Sequence, residues 1–289
     1  MNVVTYGMMG AGIVSLVAGL LLVRTRFRAS PGAEKIVVLG PVFEAVALAV
    51  FAAEHFTAAQ DLMGIVPRWL PGPLFWTYFV GAAWLAAAIS FIIWRLVHWS
   101  APLVALMFVI IVVTIDLPNL PAHTGERLFW TLTVRELAFG GGAMVLAGSV
   151  WSPRSVAGYV LIRLGRGIVA ATLIFYGIQH FLFPLNAPGV PLEKMTPEWV
   201  PFPTLLAYLV GIILVVTGIG LFIRRTIRIA AAAAGITLLL LTVFLYGPIL
   251  VLEINTDLAV EGLNYVFDTL LFAATALLAG FGTDQPKRS

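Results

Sequence analysis

The 289-residue chain is 61% hydrophobic and 11% charged, carries a formal net charge of +3 and contains no cysteine. Soluble domains hold about 25% charged residues, so the composition excludes an ordinary soluble core and indicates an all-α integral membrane protein. The missing cysteines exclude thiol–disulfide chemistry, thiolate metal sites and cysteine-ligated iron–sulfur clusters within the chain.

Nine apolar runs are each close to the roughly 20 residues that span a bilayer: 3–23, 36–57, 75–94, 101–118, 128–150, 160–183, 204–223, 229–252 and 262–281. No basic residue precedes the first run, and "RTRFR" (24–28) follows it, so it reads as a retained helix with its N-terminus outside and not as a cleaved signal peptide. Strict alternation then places 24–35, 95–100, 151–166, 224–228 and the C-terminus in the cytoplasm. Most of the 17 Lys and Arg residues fall in those segments, as the positive-inside rule requires. The basic charge is therefore a topology signal, and no nucleic-acid partner is expected; the lipid bilayer is.

The second run ends in "FAAEHF" (51–56), which puts Glu54 and His55 where hydrocarbon is expected. "FYGIQHF" (175–181) places Gln179 and His180 in the same relation. The loops that follow share a pattern: "PRWLPGP" (67–73) and "PEWVPFP" (197–203) carry Pro, Trp, Pro and Pro at the same spacing. Such a pattern cannot be regular helix. Trp69 and Trp199 read either as interfacial anchors or as parts of a lid over a pocket. At the same offset of 130, Tyr78, Gly81, Arg95 and Pro118 match Tyr208, Gly211, Arg225 and Pro248. This is an internal duplication. It divides the chain into an N-terminal helix with its basic loop (1–35), one four-helix unit (36–150), a second (151–282) and a tail (283–289). Units of four helices point the same way through the membrane, as parallel repeats related by an axis along its normal.

These residues resemble the DoxX-like membrane proteins. A Gly near the inner end of a helix (Gly40, Gly165) is followed by a His near its outer end (His55, His180). A Pro-rich outer loop and a Tyr-x-x-Gly helix (Tyr78/Gly81, Tyr208/Gly211) come next. The resemblance covers both units. It implies compact four-helix bundles and, as in the DoxD members, a membrane subunit of a thiosulfate:quinone oxidoreductase. Many members carry a Glu three residues after that Gly, where this chain has Trp84 and Leu214.

Ionisable residues inside a membrane are costly and usually functional. The candidates for proton handling are Glu54, His55, Asp116, Arg135 and Glu136. His180, Gln179, Tyr246, Asp268, Trp69 and Trp199 are the candidates for binding substrate or cofactor. Glu136 lies about 12 Å down its helix, and Glu54, His55 and Asp116 lie near the outer ends of theirs. Arg135 is expected to pair with Glu54 or Asp116 on another helix and not with Glu136, because adjacent helical residues point apart. Glu44, near Pro41, either caps backbone freed by the proline or forms an inner step of a polar path. The run "GGGA" (140–143) predicts close helix packing, and "NAPGVP" (186–191) reads as a turn. Each His is a helix-end residue bonded to a loop carbonyl, a proton relay or quinone ligand, or half of a haem pair; the spacing of the four His supports no metal site.

The leading expectation is an oxidoreductase subunit that binds a quinone or similar lipophilic substrate in an outward-facing pocket, its electrons coming from a partner subunit or from the substrate itself. The alternatives are a small-solute or proton-coupled transporter, which the lack of broken helices at matching mid-membrane positions argues against, and a non-catalytic scaffold or chaperone for membrane proteins.

Overall fold

The computed structural model describes residues 3–151 and 155–282; the expected tail 283–289 lies outside them. Among the described residues the chain is all helix, with nine long helices and no strand. These are α1 (Val3–Ala29), α2 (Gly40–Thr57, preceded by a single turn Glu34–Val37), α3 (Pro73–Ile93), α4 (Val97–Ile111), α5 (Arg127–Val150), α6 (Val156–Leu182), α7 (Pro203–Phe222), α8 (Ile227–Leu241) and α9 (Ala259–Leu278). Seven helices are long and apolar enough to cross a membrane. The two outside that set, α5 and α9, carry Arg135, Glu136, Glu261, Asn264 and Asp268, which lower their apolarity.

The ends of the helices follow local chemistry. Helix α1 runs on through Arg24, Arg26 and Arg28, and Arg26 lies 3.5 Å over the Trp94 ring. Pro73 and Pro203 open α3 and α7 after left-handed residues, Gly72 and Phe202. Proline suits a first helical turn because its missing N–H has no partner there anyway. Pro118 and Pro248 lie deeper in their segments. Just before each, the chain widens into a π turn, Val112–Asp116 and Thr242–Tyr246. An interior proline removes a donor and clashes with the carbonyl four residues back, and a wider turn relieves that clash. Helices α4 and α8 are therefore interrupted at positions 130 residues apart, a feature the apolar pattern alone did not reveal.

The helices pack as two rings of five that share one wall. Helices α2, α3, α4, α5 and α9 form the first ring; α5, α6, α7, α8 and α9 form the second; α1 lies outside, mainly against α2. The first helix of each four-helix segment packs on the last helix of the other: α2 on α9, and α6 on α5. The expected close packing at the glycine run is seen on α5. A side chain on Gly140 would meet Phe108 on α4 at 3.2 Å, one on Gly141 would meet the Gly165 carbonyl on α6 at 2.9 Å, and one on Gly142 would meet Thr275 on α9 at 3.1 Å. Successive residues point about 100° apart on a helix, so three consecutive glycines admit three different neighbours.

Candidate functional site at the loop-bearing end

The loops 58–72 and 183–202 leave the bundle at one end, and the candidate residues gather beneath them. The shared wall carries their centre. Arg135 Nη1 donates to Asp268 Oδ2 on α9 at 2.5 Å, and Nη2 donates to Glu136 Oε1 at 2.8 Å. Arg135, Glu136 and Asp268 keep 12%, 15% and 14% of their side-chain surface accessible although they lie well inside their helices. The expected partner of Arg135, Glu54 or Asp116, is replaced by Asp268. The excluded pair with Glu136 does form, because the divergence of adjacent Cβ atoms does not stop two long side chains from curling towards each other.

Glu54 is buried on α2 and accepts a hydrogen bond from Asn264 Nδ2 on α9 at 2.9 Å. Asp116, the last residue of the first π turn, lies within electrostatic reach of Glu136 and Arg135, and its Oδ2 is buried without a hydrogen-bond partner. Three carboxylates, Glu136, Asp268 and Asp116, thus lie around one guanidinium, with Glu54 within electrostatic reach of Asp268.

The two histidines begin alike. His55 Nδ1 lies 2.7 Å from the Phe51 carbonyl and His180 Nδ1 lies 2.6 Å from the Tyr176 carbonyl, each four residues back on its own helix. Each backs onto a glycine of the next helix, where a side chain on Gly81 would come within 2.7 Å of His55 Cβ and one on Gly211 within 3.2 Å of His180 Cβ. Beyond that they differ. Residues 187–192 of the second loop descend into the second ring, and Ala187, Val190 and Leu192 are fully buried. The backbone polar groups of this plug are met by side chains on four helical segments, as burial demands. Gly189 N–H donates to His180 Nε2 (3.2 Å), the Tyr246 hydroxyl to the Ala187 carbonyl (3.2 Å), Thr269 to the Val190 carbonyl (3.4 Å) and Arg127 to the Leu192 carbonyl (2.5 Å). Tyr246 also stacks on Tyr265, with centroids 5.9 Å apart. At the surface Lys194 holds the plug down through Glu253 at 2.5 Å and Glu261 at 3.5 Å.

The stretch read as a turn is thus the lid of the second ring. Trp69 and Trp199 do not form it; they are 69% and 45% exposed on the outside of the bundle. The first loop makes no matching descent: Gln60, Asp61, Gly64, Ile65, Arg68 and Trp69 stay exposed. Gln179 on α6 stands apart, its Oε1 buried and without a hydrogen-bond partner. Glu44 is fully buried with Oε2 unpartnered and caps no described backbone group. The paired-histidine haem does not fit, because the Nε2 lone pair of His180 already accepts from Gly189. No cluster of metal-ligating residues is present among the described residues.

Residues 44–118 match the model of a family described as a domain of unknown function (DUF8561). The match runs from Glu44 to Pro118, so it takes in Glu54, His55 and Asp116 and stops before the Arg135 wall. No curated protein and no solved structure matches the chain.

Proposed function

We propose that the chain is a DoxX-like membrane protein of nine spans, an N-terminal helix followed by two tandem four-helix units. Its N-terminus lies outside and its C-terminus in the cytoplasm. The supports are the basic segments gathered at one end and the offset of 130 residues between Val97–Ile111 and Ile227–Leu241 and between their π turns. In this reading the first ring binds a quinone-type lipophilic substrate as part of an oxidoreductase. The observation that carries it is the polar cluster of Arg135, Asp268, Glu136 and Asp116 inside the bundle, with Glu54 bonded to Asn264, at the end where the first loop stays exposed. Glu54, Asp116 and Glu136 exchange protons there. With no cysteine in the chain, electrons pass to a redox group of a partner protein.

The direct test is extraction of the detergent-purified protein and mass spectrometry of its lipids. A quinone retained by the wild type and lost in His55→Ala supports the reading; extracts free of quinone in every preparation sink it. A second reading, a proton-coupled transporter, is favoured by the matched π turns alone, because interrupted helices at corresponding positions are a mark of transport folds. Solute uptake into proteoliposomes that fails in Glu136→Gln would promote it.

A further inference from the structure

The partly buried arginines of the chain have acceptors, with one exception. Arg127 pairs with Glu193, Arg135 with Asp268 and Glu136, and Arg228 with Glu34, while Arg166 donates to the Ala279 and Phe281 carbonyls. Arg26, half-buried near the end of α1, meets no acceptor among the described residues. Its Cζ lies 3.5 Å from the centroid of the Trp94 ring. An edge-on guanidinium would drive a nitrogen into the ring at that distance, so the group lies flat on the indole. The N–H donors of a guanidinium lie in its plane. The stack therefore uses its face and leaves the planar fork of donors free. A partly desolvated cation without an anion is unfavourable, and this end of the bundle has no protein anion to spare. In 24–35, 94–100, 155–166 and 223–228, Glu34 is the one acidic residue among those described, and Arg228 engages it at 3.6 Å. Arg24, Arg28 and Arg95 are exposed there. The turn that carries Trp94 is held in place: Trp94 and Leu96 are left-handed, the Arg95 N–H donates to the Ser90 carbonyl, and the Ser90 hydroxyl donates to the Arg95 carbonyl.

We infer that the Arg26–Trp94 stack is a binding site for the headgroup of an anionic phospholipid, with the guanidinium edge taking the phosphate oxygens. Guanidinium and phosphate match as a planar pair joined by two hydrogen bonds. Leu22, on the same side of α1 as Arg26, and Ile93, next to Trp94, are exposed and offer apolar surface to an acyl chain. The exposed Arg24, Arg28 and Arg95 favour a headgroup of net negative charge over a zwitterionic one. At the offset of 130, Arg224 stands where Trp94 does, and α1 has no counterpart before the second unit, so each chain has one such site. The inference needs a bilayer and not the quinone reading.

The test is native mass spectrometry of the full chain in a neutral detergent, titrated with palmitoyl-oleoyl phosphatidylglycerol or with the phosphatidylcholine of the same acyl chains. One phosphatidylglycerol should bind about tenfold more tightly than phosphatidylcholine, the factor expected of a charge-assisted hydrogen bond. Arg26→Gln should remove that preference. Arg225→Gln, which takes one charge from the same end but from the turn between α7 and α8, should keep it. Equal affinities for the two lipids in the wild type would overturn the inference, and that comparison needs no variant to fold. Equal loss in Arg26→Gln and Arg225→Gln would overturn it as well, because a diffuse basic field would then account for the binding. Glycerol phosphate in solution should not displace the bound lipid. If it does so at equal concentration, the ligand is a soluble phosphate and the lipid assignment falls.

Discussion

The two histidine sites start from the same helix position, the same bond to the carbonyl one turn back and the same glycine behind the ring, yet they reach opposite ends. His180 is sealed under residues 187–192, and both of its nitrogens are used by backbone. His55 uses only Nδ1 in a bond to the protein, and the loop above it stays exposed. A five-residue difference in loop length separates the two outcomes. The longer loop can descend and meet Arg127, Tyr246, Thr269 and His180; the shorter one stays on the surface. The His180 side is closed by its own loop, and the His55 side is not.

The largest way to break this comparison acts on the wall both rings share. Removing Arg135 leaves Asp268 and Glu136 without their cation. Losing one partner of a buried pair costs about 3–5 kcal/mol, so Arg135→Ala should lower unfolding stability in detergent by that order, and a second change, Asp268→Asn, should return part of it. The comparison sharpens at the histidines. His180→Ala strands the buried Gly189 N–H and should cost about 1–3 kcal/mol. His55→Ala gives up only a bond within its own turn and should cost under about 1 kcal/mol; thermal unfolding of the two variants checks the ordering. The smallest effect concerns the plug's surface end. Burial pushes the Glu193 carboxyl above the usual carboxylate range, against the opposing pull of Arg127 3.2 Å away. The folded chain then holds that proton more tightly than the unfolded chain does. Its contribution is complete at acid pH and fades as pH rises through the raised value. A slight loss of stability as pH rises above the ordinary carboxylate range, absent in Glu193→Gln, is expected from melting curves.

Much of the architecture was legible because bilayer spans and basic loops leave long, one-dimensional signals. All nine apolar runs became helices, with ends moved by a few residues where Arg24–Arg28 or the turns before Pro118 and Pro248 extended or widened them. Tertiary consequences were less legible. The prolines were visible, but the π turns they induce depend on how the chain relaxes around a missing donor. Arg135 was assigned the wrong partners because spacing on one helix says nothing of Asp268, which lies 133 residues away on α9. The plug left the weakest trace. "NAPGVP" has the composition of any exposed turn, and what buries it is a set of donors scattered from Arg127 to Thr269.

The exchange of first helices between the two halves has a consequence for assembly. Each half on its own would present an unfilled seam where the other half's first or last helix belongs, much like one subunit of an obligate dimer. The single chain thus behaves as a covalently tied pair of subunits, with the α5–α9 wall as its subunit interface. Such a pair gains its second partner at the high effective concentration a linker provides. It also leaves each half free to carry its own residues at the shared wall, which a true homodimer cannot do.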